Sequence, residues 1–197
     1  KRFPVVHTGT LDNSATGRLV LLLVTYTKKA PALTKLDKTY EVTIRLGQTS
    51  TTGDDEGEKR DVSDKQPSLD VIEHTLAQFV GDHMQTPPIY SAIKVNGQRA
   101  YKLARAGKTP VLEPRLTHIE SIVPGTYEYP ILTFTAHVSS GTYIRSLAED
   151  IGKALETGAY MSELRRTKVG TFSIIDAAQI EDVSPAFIRS RIIALVP

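Results

Sequence analysis

The residues best suited to chemistry stand near the start of the chain, where residues 7–17 read HTGTLDNSATG. Two glycines, three threonines, one carboxylate and one imidazole lie directly before an apolar run, the composition of a loop that presents side chains. Asp12 in such a loop can act as a nucleophile or as a general base. The alternative is structural: Asp12, Asn13 or Ser14 caps a helix starting at Ala15. The glycine spacing fits neither a Walker nor a dinucleotide fingerprint, and no Gly-Lys-Ser/Thr follows, which argues against a phosphate-binding loop.

Three further segments carry candidate groups. In SSGTYIR, residues 139–145, a strand-to-helix turn would project Tyr143 and Arg145 from the first helical turn. An arginine there pairs with a carboxylate or phosphate, or else is a solvated helix residue. In YMSELRRTKVG, residues 160–170, Leu164 stands beside Arg165, Arg166 and Lys168. That reads as a basic RNA-facing edge, or as a helix with one buried leucine and a charged outer face. Residues 90–108 alternate bases with Tyr90 and Tyr101, suited to phosphates and stacked bases, although amphipathic structure explains the pattern equally well. The five histidines include no close metal-ligand pair on a helix face, so no metal site is expected. No Gly-x-Ser-x-Gly nucleophile elbow is present.

The elements that must position these groups follow from periodicity. Residues 39–46 alternate, with Tyr40, Val42, Ile44 and Leu46 on one side, which predicts a half-buried strand. Residues 48–60 are acidic and polar and are expected to form an exposed loop. Ser68 then begins a helix with Leu69, Ile72, Leu76 and Phe79 at helical spacing. Pro87 and Pro88 delay the next element, a helix over 98–106 capped by Gly107. A second alternating strand is predicted over 131–138, feeding a helix through Ile144, Leu147, Ala148, Ile151 and Leu155 that ends at Gly158. A short basic helix over 161–166, a strand over 170–175 and a last helix from Ser184 and Pro185 complete the reading. Strands and helices are interspersed without strict alternation, so the fold class is α+β, with a mixed, largely antiparallel sheet flanked by helices.

A chain of 197 residues with 40% hydrophobic and 23% charged residues builds its own core as one domain. With no cysteine, disulfide frameworks and thiolate chemistry are excluded, which fits a reducing compartment. The longest apolar run, residues 19–24, is far below a membrane span, so a cytoplasmic protein without membrane attachment is expected. The net charge is only +2, but bases cluster at Lys28 and Lys29, over 94–105 and over 165–168, while acids cluster over 54–58 and at Glu149 and Asp150. One basic face follows from that distribution.

Taken together, these segments resemble the TruB family of tRNA pseudouridine synthases in order and spacing. Residues 7–17 resemble its catalytic loop, DKTYEV its tyrosine strand and PPIYSAIK its next signature, while GTYIRSLAEDIG and ELRRTKVG fall where its arginine and leucine-arginine motifs belong. The resemblance covers nearly the whole chain. It implies the pseudouridine synthase fold and the isomerisation of a T-loop uridine in tRNA, with no cofactor, no metal, no protein partner and a monomeric enzyme. It assigns Asp12 as the catalytic carboxylate, Tyr40 as the residue that stacks on the target base and serves the later proton removal, and Arg145 as the partner that orients Asp12. Leu164 would wall the uracil pocket, His7 would support the opened loop of the RNA, and Asp54 and Tyr143 would shape the substrate side. Lys94, Arg99, Lys102, Arg105, Arg165 and Arg166 are candidate phosphate contacts, chosen by charge and placement.

Asn13 departs from the family pattern, which usually has proline after the catalytic aspartate. Residues 1–197 are expected to form the catalytic domain, lacking an N-terminal segment and without a C-terminal RNA-binding domain. Two other functions fit the resemblance: a non-catalytic module that binds and refolds tRNA, and a guide-dependent enzyme acting on rRNA.

Overall fold

The computed structural model describes residues 3–182, 184 and 186. At its start, β1 (Val5–His7) carries the chain into residues 8–20, which include β2 (Thr16–Gly17) and return in β3 (Leu21–Leu23). β1 and β3 pair antiparallel with His7 opposite Leu21, and the Thr8 N–H donates to the Val20 carbonyl at 3.1 Å. The loop that contains Asp12 is therefore tied at its base by a small sheet.

After α1 (Ala30–Thr34) the chain enters β4 (Lys38–Leu46), where Val42, Ile44 and Leu46 are buried and Glu41 is exposed, as the alternation predicts. The acidic stretch that follows is not an exposed loop. It is a hairpin of β5 (Gln48–Ser50) and β6 (Lys59–Asp61), and its tip folds back so that the Met161 N–H donates to the Gly53 carbonyl at 3.1 Å and Asp54 is buried. Polarity suggested exposure, but Asp54 is compensated by internal donors instead of by water.

Ser68 caps α2 (Leu69–Gln78) by accepting from the Val71 N–H, and Ile72 and Leu76 bury the inward face. β7 (Gly81–Gln85) precedes a projecting excursion made of β8 (Lys94–Val95), β9 (Gln98–Arg99) and α3 (Ala100–Arg105). The chain comes back as the long β10 (Arg115–Glu128), turns into β11 (Ile131–Val138) and enters α4 (Ile144–Ala154). β12 (Ala159–Val169) and β13 (Phe172–Ser173) follow. The helix expected from Ser184 and Pro185 onward falls largely outside the described residues.

The basic helix expected over 161–166 is part of strand β12. Two bulges, between Met161 and Glu163 and between Arg166 and Lys168, interrupt its pairing with β4. They leave Met161, Leu164, Arg166 and Val169 buried at spacings of three, two and three, which imitates helical periodicity in the sequence.

The main sheet has seven strands, in the order β13-β12-β4-β11-β10-β7 with β2 beside β12; every pairing is antiparallel except β2 with β12. α2 and α4 pack on one face, where Val42, Ile44, Leu132, Phe134 and Leu164 meet Ile72, Leu76, Leu147 and Ile151 in a single core. Each such buried aliphatic side chain contributes about 1.5–3 kcal/mol. No helix among the described residues is long and apolar enough to cross a membrane.

Candidate active site

No helix starts at Ala15. The Ala15 N–H donates to the Asp12 carbonyl at 3.0 Å in a turn, and Thr16 and Gly17 then lie parallel to Arg165 and Arg166 of β12. Gly17, at φ +108, approaches so closely that a Cβ there would stand 2.2 Å from the Arg166 carbonyl oxygen. That same carbonyl accepts from the Arg18 N–H at 2.7 Å.

The Arg166 side chain closes the loop from inside. Its guanidinium is buried and donates to the backbone carbonyls of Arg18 (2.8 Å), Gly9 (3.1 Å) and Thr10 (3.4 Å). This corrects the expectation of a phosphate contact: its donors are spent on carbonyls of the Asp12 loop, and it has no exposed surface to offer RNA.

Arg145, the second residue of α4, joins four segments. Nη2 donates to Asp12 Oδ1 at 3.2 Å, while Nε lies 3.0 Å from Oδ2 without the direction of a hydrogen bond. The guanidinium thus faces both oxygens of the carboxylate. Nη1 donates to the Thr52 carbonyl at 3.2 Å and lies 3.5 Å from Asp54 Oδ2; Nη2 also donates to the Tyr90 carbonyl at 3.0 Å. Asp54 is further satisfied by the Thr52 hydroxyl and the Glu56 N–H. The side chain of Arg145 is 7% exposed and that of Asp12 38%, so a fixed, buried cation orients a carboxylate that remains open to an incoming group.

Around this pair stand two phenols and, besides Asp54, a further carboxyl. Burial pushes the Tyr40 phenol up, Arg166 pulls it back and Asp12 adds to the rise. Tyr143, directly before α4, is also pushed up by burial, offset by the charges of Arg115 and Arg145. Burial raises Glu149 as well, with Lys153 opposing. Glu149 packs on Gly53: a Cβ there would lie 2.7 Å from its Oε1.

The structure brings Asp12, Tyr40, Asp54, Tyr143 and Arg145 together. Leu164 lies opposite Val42 in the sheet, on the face that carries Tyr40, so it lines the floor beside them. His7 is exposed at the base of the loop. Lys94 and Arg99 stand on the exposed excursion, where Arg99 is bonded to the Ala92 carbonyl. Arg165 is exposed and 3.6 Å from Glu41. Sequence reasoning missed Gln85, Thr52 and Glu149; Glu149 stands inside the GTYIRSLAEDIG motif, but nothing in its letter tells that it packs on Gly53. A cavity of about 590 Å³ opens beside Ser14, Thr16, Glu41, Thr43 and Thr135, but Asp12, Tyr40 and Arg145 do not line it, so the ion pair and not the cavity marks the site. Among the described residues no group of three or more histidine or carboxylate side chains is placed to hold a metal ion.

A model described as TruB family pseudouridylate synthase (N terminal domain) matches residues 3–144, and one described as tRNA pseudouridylate synthase B C-terminal domain matches residues 145–192. The chain belongs to the TruB family. The boundary between the two TruB models falls inside α4, and the sheet takes strands from both sides of it.

Among TruB relatives, tRNA pseudouridine synthase B of Burkholderia mallei (strain NCTC 10247) is 42% identical over 191 residues, 97% of this chain and 63% of the relative. That of Pseudomonas aeruginosa (strain UCBPP-PA14) is 43% identical over 175 residues, 89% of this chain and 58% of the relative. The chain thus spans about three fifths of the length of the curated relatives it matches. Of solved structures, a Cbf5-Nop10-Gar1 complex aligns with TM-score 0.70 and 29% identity over 91% of this chain and 44% of the matched one. An H/ACA RNP bound to a substrate RNA containing 2'-deoxyuridine aligns with TM-score 0.66 and 26% identity over 91% of this chain and 43% of the other.

Proposed function

We propose that this protein isomerises uridine to pseudouridine in the T-loop of tRNA, with Asp12 as the essential carboxylate and no cofactor. The observation that carries the reading is the accessible Asp12 carboxylate held against the buried Arg145 guanidinium. In the reaction the bond from ribose C1' to N1 breaks, the uracil turns, a bond from C1' to C5 forms, and the proton on C5 is lost while N1 gains one. Asp12 acts on the ribose, as nucleophile at C1' or as base at a sugar proton, and both roles need an oriented anionic oxygen. Tyr40 stacks on the base and takes part in removing the C5 proton, and Leu164 walls the uracil.

A T-loop base is stacked within folded RNA, so it must be flipped out before Asp12 can reach its sugar. His7 and Tyr143 meet the nucleotides around the opening, Asp54 fixes Arg145 from behind, and Lys94, Arg99 and Arg165 meet phosphates. Identity of 42% to proteins named tRNA pseudouridine synthase B, against 29% to the Cbf5 chain, favours free tRNA over a guide-dependent RNA. The intact set Asp12, Tyr40 and Arg145 argues against a module that only binds.

The test is tritium release from tRNA labelled at uridine C5. Release by the parent chain and none by Asp12→Asn, with tRNA binding retained, is the expected result. Near-normal product from Asp12→Asn sinks the assignment, and tRNA binding without release by the parent supports the binding module instead.

A further inference from the structure

Arg145 orients Asp12, and something must orient Arg145. Its helix, α4, begins after Tyr143 without any side-chain cap at that residue. Three of the groups that hold this start come from one stretch of chain. Gln85, the last residue of β7, is 1% exposed. Its Nε2 donates to the Tyr143 carbonyl at 3.0 Å, and its Oε1 accepts from the Tyr143 N–H at 2.7 Å. A primary amide satisfies both backbone groups of one residue because it carries a donor and an acceptor side by side. The next carbonyl, that of Thr86, accepts from the Ser146 hydroxyl at 2.8 Å, and the Tyr90 carbonyl accepts from Arg145 itself at 3.0 Å. Residues 85–90 therefore grip Tyr143, Arg145 and Ser146, the turn on which the Asp12 ion pair depends.

We infer that Gln85 is a positioning residue for the isomerisation, acting through Tyr143 and Arg145 on the direction in which Asp12 is held. The inference rests on the function proposed above. The side-chain bonds of Gln85 go to the backbone of Tyr143, so its contribution reaches the reaction through the placement of the α4 start. Leucine at this position keeps bulk and loses both bonds. Glutamate keeps the shape and the acceptor, but when ionised it sets a second acceptor against the Tyr143 carbonyl.

The experiment measures single-turnover tritium release, tRNA affinity and thermal midpoint for Gln85→Leu and Gln85→Glu, each in the parent and in an Arg145→Lys background. In the parent background the rate falls about ten- to a hundredfold, the scale expected when a reacting group is misplaced by up to about 1 Å. The tRNA Kd stays within about twofold, because the loss is confined to the chemical step. In the Arg145→Lys background the same substitution changes the rate by less than about threefold, since residues that act through one another are not additive. Full additivity, an unchanged rate, or a rate loss matched by the loss of folded protein overturns the inference. Should Gln85→Leu fail to fold, Gln85→Glu, which keeps the bond from the Tyr143 N–H, decides it. A parent chain that releases no tritium overturns the underlying reading; an active parent whose rate the Gln85 variants match overturns only the positioning role.

Discussion

Tyr40 shows how much one residue's surroundings decide. Its ring belongs to the buried face of β4, opposite Ala136 on one side and Arg166 on the other, and its phenol is pushed above its ordinary value mainly by burial. The hydroxyl is therefore neutral at physiological pH in the free protein, which suits stacking and a relayed proton better than a standing phenolate base. Tyr40→Phe retains the ring and deletes the relay, so tRNA affinity is expected to hold while tritium release falls by about 10²–10⁴, the usual worth of a positioned proton-transfer group. Release near the parent rate would remove Tyr40 from the proton step. The order of their motifs led Asp12, Tyr40 and Arg145 to be expected at one site, and the structure holds them close together. Arg166 was misread as a phosphate contact, since its letter gives charge but not burial. The parts played by Thr52 and Tyr90 at Arg145 were invisible for a different reason: each contributes a backbone carbonyl, and every residue type has one.

At the scale of elements, the loop that presents Asp12 depends on how closely β2 lies against β12. Gly17→Ala places a methyl group 2.2 Å from the Arg166 carbonyl oxygen at φ +108, so the loop must move away from its brace. A loss of about 1–3 kcal/mol in unfolding free energy is expected from denaturant titration, together with a fall in tritium release. Gly81→Ala is the matched control: φ is +105 and nothing lies within 4 Å, so only a conformational cost of about 1–2 kcal/mol applies and the site stays intact. Equal losses of activity in the two variants would show that β2 does not set the loop. β4, β11, α2 and α4 were readable because their periods run unbroken. β12 was not, because two bulges change its period, and β10 escaped because Pro124 and Gly125 stand inside it beside an irregular register.

Over the whole molecule, charge is distributed far more unevenly than the net value of +2 suggests. Residues 94–115 contain Lys94, Arg99, Lys102, Arg105, Lys108 and Arg115 against the single acid Glu113, so a local charge of +5 projects from a remainder that is net acidic. All six bases are exposed, and Arg105 lies over the Tyr101 ring at 5.7 Å. This excursion is joined to the site at its root, where the Tyr90 carbonyl meets Arg145. The RNA contact proposed for these bases predicts a salt dependence. If four or five of them neutralise phosphates, log K for tRNA falls against log salt with a slope of about −3 to −4.5, because each neutralised phosphate releases about 0.7–0.9 counterion. The double variant Lys102→Ala with Arg105→Ala flattens that slope by about 1.4–1.8 on the same basis. Lys65→Ala provides the comparison: Lys65 is exposed too, but it is paired with Glu156 at 2.6 Å and stands outside the excursion, so its removal leaves the slope unchanged. A salt-insensitive affinity, or a slope altered as much by Lys65→Ala as by the double variant, would take the RNA contact away from residues 94–115 and leave their charge to serve solubility alone.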